Sequence, residues 1–158
     1  MLIHKQPAGF TLIELLILIT LIAIVATVAV PGFGRLIESN RLTSSSNDLV
    51  GALNMARAEA VRLGTTVSVA PNGSDYSGGV LIQATVNGAL QTLREVEGPG
   101  DGVDISLTSG SNPGFRANGL ATHTSNVIFN VCGESGERGT QVSVTLGGQV
   151  QSTTITCP

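Results

Sequence analysis

The residues best placed to do chemistry lie where a long apolar run begins. Glu14 is the only charged residue between Phe10 and Gly34. A carboxylate inside hydrocarbon is costly unless it is partnered, so we expect Glu14 to have a specific partner; the alternative is that it only extends to the membrane headgroups. Gly9 has no side chain and would let an extended backbone fit closely into a protease cleft. The pattern predicts a cleavable segment followed by an apolar helix that carries one functional acid.

Two cysteines, Cys132 and Cys157, lie late in the chain. Neither belongs to a Cys-x-x-Cys pair or lies beside a histidine cluster, so the sequence gives no support to a zinc site or a thioredoxin-like site. If the domain lies outside the cytoplasm, a disulfide is their natural use. Two unpaired buried thiols remain the alternative.

Catalysis finds no support in the sequence. His123 is the only histidine after Gly9, and we expect it in an exposed loop. Asp101 and Asp104 lie in a glycine-rich turn, but two acids without further oxygen ligands make a weak calcium site. No nucleophile elbow, phosphate loop or pair of catalytic carboxylates is present in the sequence. We therefore expect no enzyme activity, no metal and no cofactor.

The charge balance of the later part of the chain is acidic. The whole chain has a formal net charge of -3, and beyond Val67 three arginines stand against seven acids, or -4 (3 − 7). A surface of this sign speaks against broad contact with nucleic-acid phosphates. Aromatic residues make up only 3% of the chain and tryptophan is absent, so the core is expected to be small and aliphatic.

The apolar run from Phe10 to Gly34 is long enough to cross a bilayer. Its length of about 25 residues corresponds to roughly 37 Å of helix. A cleaved secretory signal peptide is the alternative, because Ala26–Ala29 resembles the small-residue site where such peptides are cut. A signal peptide has no use for Glu14, so a membrane span is preferred. Lys5 before the span favours a cytoplasmic N-terminus.

The pattern then continues as an amphipathic helix. Pro31 with its neighbouring glycines marks a weak point, and Gly64 is a suitable C-terminal cap. Between them, small or apolar residues recur at alternating spacings of four and three, as on one face of a helix with a period of about 3.6. They are Leu42, Ser46, Leu49, Leu53, Ala56, Ala60 and Leu63. The sequence predicts one bent helix from about Phe10 to about Leu63.

After Gly64 the period changes to two, which is typical of strands. Asn87-Gly88 between two alternating runs is the sharpest hairpin signal. The predicted strands are Thr65–Ala70, Gly79–Val86, Ala89–Glu97, Val103–Thr108, Val127–Cys132, Thr140–Leu146 and Gln149–Thr156. The fold class predicted is α+β: a long N-terminal helix, transmembrane in its first half and amphipathic in its second, packed on an antiparallel β-rich head. Two small sheets or one curved sheet would both fit.

The segment Gly9-Phe10-Thr11-Leu12-Ile13-Glu14-Leu15-Leu16 resembles the signature of type IV prepilins and of type II secretion pseudopilins. The resemblance implies that a prepilin peptidase cuts between Gly9 and Phe10 and that the new N-terminal Phe10 is methylated. It also implies that Glu14 meets the N-terminal amine of a neighbouring subunit during assembly, and that Pro31 is the weak point of the helix.

The resemblance extends into the later part of the chain. The stretch 53–61, with Arg57 and Glu59, is similar to the helix end of FimT/FimU-type minor pilins and GspH-type pseudopilins, although both residues could simply be solvated. The segments 115–119 and 129–132 and the ending 156–158 look most like the FimU type. In that group a late disulfide is implied, which would join Cys132 to Cys157.

One departure concerns DNA. DNA-binding pilins of the FimT type carry a basic Gly-Arg-x-Arg element near the C-terminus, whereas 147–151 here read Gly-Gly-Gln-Val-Gln. The missing positive charge speaks against a nucleic-acid partner.

The expected organisation is a leader at 1–9, a transmembrane assembly helix at 10–34, an amphipathic helix at 35–64 and a pilin head at 65–158. The expected function is that of a minor pilin in the tip complex that primes pilus assembly; an H-type pseudopilin and a FimT-like DNA-binding pilin are the alternatives. Expected partners are other minor pilins, the major pilin, the prepilin peptidase and the inner membrane. The expected location is the bacterial inner membrane, single-pass with a periplasmic head, and then the filament.

Overall fold

The computed structural model describes residues 10–100 and 102–158. One helix, α1, spans Leu12–Leu63 and is followed by eight strands and one short 3-10 helix. The strands are β1 (Val67–Pro71), β2 (Gly79–Val86), β3 (Ala89–Glu97), β4 (Asp104–Ser109), β5 (Gly114–Phe115), β6 (Val127–Cys132), β7 (Arg138–Val144) and β8 (Val150–Thr156). The 3-10 helix, η1, spans Tyr76–Gly78 and lies between β1 and β2.

The chain divides into two compact units between Ile37 and Glu38, so that the boundary falls inside α1. Within the described residues, no single helix combines enough length and hydropathy to cross a membrane. Two helical segments separated by a bend, Leu12–Thr27 and Gly32–Leu63, meet that criterion together, by length and composition only. The transmembrane role of the first half of α1 therefore stays a prediction.

α1 ends where its sequence predicts. Gly64 has a φ of +66°, the left-handed conformation that glycine adopts without a Cβ penalty and that terminates helices. Leu49, Leu53, Ala56 and Ala60 are at most 1% exposed, which confirms the predicted stripe. Because two of these four side chains are alanines, the helix backbone approaches the sheets closely at its C-terminal end.

The head contains two four-stranded antiparallel sheets, which answers the question that the strand pattern left open. The first, sheet A, has the order β3-β2-β1-β5, and the second, sheet B, has the order β4-β6-β7-β8. The Asn87-Gly88 hairpin is confirmed: Val86 pairs with Ala89, and both turn residues have positive φ, 52° and 80°. These values fit the type I′ turn, whose twist matches that of the two strands it joins.

The core is aliphatic with a small aromatic centre. Val67, Val69 and Ile82 from sheet A face Val131 and Val142 from sheet B, and all are fully buried. Burying such side chains supplies the main driving force for a head of this size.

One aromatic contact lies within this core. The Tyr76 ring of η1 packs edge-to-face on Phe129 of β6, with ring centroids 4.8 Å apart. This contact ties the loop between the first two strands of sheet A to sheet B.

Most strand bounds agree with the sequence to within a few residues, and three differences are informative. β7 begins at Arg138 and ends at Val144, two residues before the predicted end, so that Leu146 lies exposed in the following turn. β5 was missed because it has only two residues, too few to show an alternating pattern. η1 was missed because three residues carry no periodic signal.

Candidate functional site

The N-terminal turn of α1 is closed by three reciprocal hydrogen bonds between Thr11 and Glu14. The Glu14 carboxylate accepts from the Thr11 backbone N–H at 3.0 Å and from its hydroxyl at 2.9 Å. In return, the Thr11 hydroxyl oxygen accepts from the Glu14 backbone N–H at 3.3 Å. This is a capping box, which satisfies two N–H groups that a helix start otherwise leaves unpaired.

The capping box gives Glu14 a partner that the sequence analysis did not name. The signal was available, because Thr-x-x-Glu before an apolar run is the typical sequence of this motif. Its presence shows that Glu14 already has a structural role within its own chain. The predicted contact between Glu14 and the amine of a neighbouring subunit stays a prediction.

The remaining polar side chains of 10–34 are also satisfied inside the helix. The hydroxyl of Thr20 donates to the Leu16 carbonyl at 2.7 Å, and that of Thr27 donates to the Ile24 carbonyl at 2.6 Å. Hydroxyls that bond back to their own helix need no partner from water, which suits an apolar environment.

Large apolar side chains of this segment are exposed to the surroundings. Phe10 is 87% exposed, and the leucines and isoleucines from Leu12 to Ile24 are each about half exposed or more. A continuous apolar surface of this extent marks a region that lipid or another protein covers.

The other residues predicted to act in the N-terminal region are Gly9, Phe10 and Pro31. Gly9 lies outside the described residues, so the cleavage site stays a prediction, as does methylation of Phe10. Pro31 lies within α1, and its role as a weak point stays a prediction.

A disulfide joins Cys132, at the end of β6, to Cys157, just after β8, with their Cα atoms 5.8 Å apart. The two strands are not neighbours, because β7 lies between them, and the sulfurs pass over Gly139 of β7. A Cβ at Gly139 would overlap both sulfur atoms, so glycine is required beneath the bridge. The bridge fixes the C-terminal end of the chain to the middle of sheet B.

Arg57 is not the solvated side chain that the sequence left open as an alternative. It is half-buried, and its Nε–H donates to the Gly119 carbonyl at 2.9 Å while Nη2 reaches the Gly147 carbonyl at 3.5 Å. One guanidinium thus holds two loops of the head against α1. Gly119 and Gly148 pack beside this guanidinium, and a Cβ on either would crowd the Arg57 Nε atom. By contrast, Glu59 forms an ion pair with Arg62 on the helix surface.

The remaining candidate residues of the sequence analysis are His123, Asp101 and Asp104. His123 is half-buried, which corrects the expectation of an exposed loop histidine, and its Nε2 lies 3.3 Å from the Val144 carbonyl oxygen. Asp104 accepts a hydrogen bond from Ser77, and Asp101 lies outside the described residues. Across 10–100 and 102–158, no group of three or more histidine, cysteine or acidic residues is arranged to hold a metal ion.

The segment compared with the basic DNA-binding element, 147–151, covers part of the turn between β7 and β8 and the first two residues of β8. Within it, Gly148 donates to the Thr145 carbonyl at 2.8 Å, and the Gly147 carbonyl faces Arg57. The guanidinium nearest to this turn is therefore occupied by backbone oxygens.

An apolar N-terminal helix that continues into a buried stripe, followed by two antiparallel sheets and a late disulfide, defines a pilin-like protein. Residues 45–148 match the family described as Type II transport protein GspH, and residues 4–30 match the prokaryotic N-terminal methylation motif. The chain belongs to the GspH family, whose members are structural subunits of the type IV pilus and type II secretion class. Members of this class assemble with other pilins.

Individual relatives agree with this placement. A fimbrial protein of Pseudomonas aeruginosa is 29% identical over 118 residues, covering 73% of this chain and 76% of the relative. The crystal structure of the type IV minor pilin FimU of the same organism is similar, with a TM-score of 0.62 and 26% identity, covering 73% of this chain and 90% of FimU. The minor pseudopilin EpsH of the Vibrio cholerae type 2 secretion system shares the fold at a TM-score of 0.59 and 11% identity, covering 72% and 96% of the two chains.

Proposed function

We propose that this protein is a minor pilin that joins other minor pilins at the tip of a type IV pilus and primes filament assembly. The observation that carries the proposal is the similarity of sequence and fold to the minor pilin FimU, at 26% identity and a TM-score of 0.62. The match of residues 4–30 to the N-terminal methylation motif supports membership of the prepilin class, because it covers most of the proposed leader and of the apolar helix together.

The proposed chain organisation follows from the same resemblance. A leader at 1–9 would be removed by a prepilin peptidase in the inner membrane, and Phe10 would become the methylated N-terminus. The helix at 10–34 would hold the chain in the membrane before assembly and would enter the filament afterwards. The helix at 35–64 and the head at 65–158 would form the periplasmic part that contacts neighbouring minor pilins and the major pilin.

The second candidate is an H-type pseudopilin of a type II secretion system. The specific observations in its favour are the name of the matched family and the fold shared with EpsH. The identity with EpsH is only 11%, so that comparison supports the fold alone. A DNA receptor is the weakest alternative, because the head is acidic and the segment 147–151 carries no positive charge.

A clean deletion strain separates the two leading candidates. Surface pili are counted by electron microscopy, and secreted hydrolases are assayed in the same cultures. Sparse or absent pili with normal secretion, restored by the plasmid-borne gene, is the expected result. Normal pili with blocked secretion would contradict the pilus assignment and favour the pseudopilin.

The complementing gene also tests processing. A Gly9→Leu variant should accumulate as uncleaved precursor and should fail to restore pili, whereas a Gly9→Ala variant, which keeps the residue small, should be processed at least in part. Normal cleavage of the leucine variant would contradict the proposed site. Cleavage after Ala29 in the unaltered chain would instead favour a secretory signal peptide.

A further inference from the structure

Each of the two sheets ends in two edge strands, and three of these four edges are protected in the described part of the chain. β5 has only two residues and is covered by its own loop, where Thr122 donates to the Gly114 carbonyl at 2.9 Å. β4 is covered by η1, since the Ile105 N–H donates to the Ser77 hydroxyl at 2.9 Å. Natural proteins cover edges in this way because unpaired strands attract other chains.

β3 is protected by charge and irregularity. Arg94, Glu95 and Glu97 lie along it, and its pairing with β2 is interrupted between Ile82 and Gln83. A β-bulge twists an edge away from regular pairing, and charged side chains make the approach of another strand unfavourable.

β8 has none of these protecting features. It pairs with β7 over seven residues without a register shift, from Arg138↔Thr156 to Val144↔Val150. Its sequence, Val-Gln-Ser-Thr-Thr-Ile-Thr, contains no charged residue and no proline. The disulfide at Cys157 holds its C-terminal end in place, so the edge is presented as a fixed, extended template.

The backbone groups of β8 that point away from β7 can be assigned from the hydrogen bonds at its two ends. The Thr145 N–H donates to the Gln149 carbonyl at 3.0 Å, and the Cys157 N–H donates to the Glu137 carbonyl at 2.8 Å. In an antiparallel pair this orientation alternates, so the N–H and C=O groups of every second residue point away from β7. Those residues are Val150, Ser152, Thr154 and Thr156.

Two of these residues, Ser152 and Thr154, line a groove. Ser152 lies opposite the fully buried Val142, which fixes the side of sheet B on which it projects. The groove between this side and α1 has a volume of about 170 Å³. It is lined by Thr43, Ser46, Asn47, Val50, Thr140, Ser152, Thr153 and Thr154. None of these side chains is ionisable, and most carry a hydroxyl or an amide.

We propose that β8 and this groove form a docking edge for an extended, uncharged strand from the head of another pilin-class subunit. A strand added to β8 would bond to the outward backbone groups, and its alternate side chains would enter the groove. Because the groove is lined only by neutral residues, it favours small polar or aliphatic side chains and disfavours a charged strand, which would lose hydration without gaining an ion pair.

The choice of a different subunit, rather than a second copy of this chain, rests on the proposed filament role. Two β8 strands paired with each other would form a two-fold contact that closes after two copies. A filament requires contacts between different surfaces, which continue from one subunit to the next. β8 is therefore expected to meet a different strand on the neighbouring subunit.

A photo-crosslinking amino acid placed at Thr154 of the full-length protein in living cells tests the proposal. The matched control carries the same amino acid at Gln91, an exposed residue of the charged edge strand β3. The expected result is an adduct at Thr154, and not at Gln91, that mass spectrometry maps to a head strand of another protein with a prepilin signature. An adduct to a second copy of this chain, to a protein without that signature, or no adduct at all would overturn the proposal.

A charge placed over the groove supplies the second measurement. In the Thr154 crosslinking background, Ser152→Lys should reduce the adduct about tenfold, as expected for losing roughly 1.4 kcal/mol of association. Gln151→Lys adds the same charge to the same strand but on the opposite side of the sheet, and it should leave the adduct unchanged. Both residues are exposed, so thermal unfolding in detergent should be the same for both variants. Equal effects of the two lysines would overturn the role of the groove.

The test of the docking edge can succeed or fail independently of the test of the proposed function. A deletion that blocks secretion but spares pili contradicts the pilus assignment, while an adduct to a pseudopilin would still support the docking edge. Lost pili in the deletion strain, together with full complementation by Ser152→Lys and no adduct, would contradict the docking edge alone.

Discussion

The two halves of α1 differ in what they contact within the protein, although they belong to one helix. Between Leu12 and Ile37 the leucine, isoleucine and phenylalanine side chains are exposed, and the hydroxyls of Thr20 and Thr27 bond back to the helix. Between Glu38 and Leu63 the apolar side chains form a buried stripe that includes Leu49 and Leu53. The hydrophobicity of a helix therefore does not by itself show whether the helix packs in the core of its own chain.

The two halves of α1 therefore obtain their stability from different sources. The second half is stabilised by the head, because its small and aliphatic side chains lose their contact with water there. The described large apolar side chains of the first half are exposed, so we expect lipid or neighbouring helices to cover them. The same substitution should therefore have different effects in the two halves.

The largest expected effect is that of Leu53→Ala. Leu53 is 0% exposed, and its truncation should destabilise the head by about 2–5 kcal/mol, because it leaves a cavity that the core cannot fill. Leu18→Ala, the same change at a side chain that is 51% exposed, should leave head unfolding unchanged. Denaturant unfolding of the detergent-solubilised protein, followed by circular dichroism, measures both. Similar losses of stability in Leu53→Ala and Leu18→Ala would contradict the expected difference between the two halves of α1.

Arg57→Ala tests a contact that only the second half of α1 makes. Removing the guanidinium should cost about 1.5–3 kcal/mol, since a charged donor to two loop carbonyls is lost. Arg62→Ala is the matched control, because Arg62 pairs with Glu59 on the exposed side of the helix, and it should leave stability nearly unchanged. The midpoints of denaturant unfolding of the two variants are compared. A neutral Arg57→Ala would show that the two loops hold themselves in place.

Glu14→Gln tests whether the charge of Glu14, in the first half of α1, is needed for assembly. Glutamine can still close the capping box with Thr11, but it carries no charge. If the charge serves assembly, incorporation into filaments should fall roughly tenfold, while head unfolding stays unchanged. Immunoblots of sheared pili measure incorporation. Thr11→Ala keeps the charge and weakens the cap, so an effect confined to Thr11→Ala would assign the role of Glu14 to capping alone.

The smallest expected effect is a loss of stability at alkaline pH, which arises from Tyr76 in the interior of the head. Burial raises the pKa of Tyr76 above its ordinary value of 10.0, because the ionised ring would lose its hydration. The stability that this shift represents is fully present below pH 10 and is lost as the pH rises, since the unfolded state releases its proton first. The loss should be at most about 1.4 kcal/mol per pH unit.

Tyr76 is the only tyrosine, and no lysine follows Lys5, so this titration can be assigned to one residue. Unfolding midpoints across the alkaline range, with tyrosinate absorbance as the probe of ionisation, measure it. Tyr76→Phe should remove most of the pH dependence. Because its hydroxyl lies 2.9 Å from Asn112 Oδ1, the variant should also cost about 0.5–1.5 kcal/mol at neutral pH. An unchanged alkaline profile in Tyr76→Phe would assign the titration elsewhere.

Much of the fold could be predicted because its signals are local. The stripe at Leu49 and Leu53 follows from helical periodicity, the Asn87-Gly88 turn from the positive φ that these residues tolerate, and the end of α1 from Gly64. Cys132 and Cys157 could be paired in advance only through the family resemblance, because spacing alone left free thiols open.

The missed features depend on contacts between segments that are distant in sequence. Arg57 donates to carbonyl oxygens 62 and 90 positions further along the chain, and no local sequence pattern around Arg57 predicts these contacts. Gly139 is required by sulfur atoms that pass above it, and β5 forms only because β1 lies beside it. The capping box at Thr11 is the exception, since its signal was local and was overlooked.

The sequence by itself determined the apolar helix, the acid near its start, the buried stripe and most of the strands, because each follows from a short periodic pattern or from the conformational preference of single residues. Only the tertiary structure decided that the strands form two sheets, that one arginine holds two loops, and that β8 is left as the unprotected edge among the described strands. These features arise from packing between distant segments, where the energy of a contact depends on both partners and neither partner's local sequence records the other.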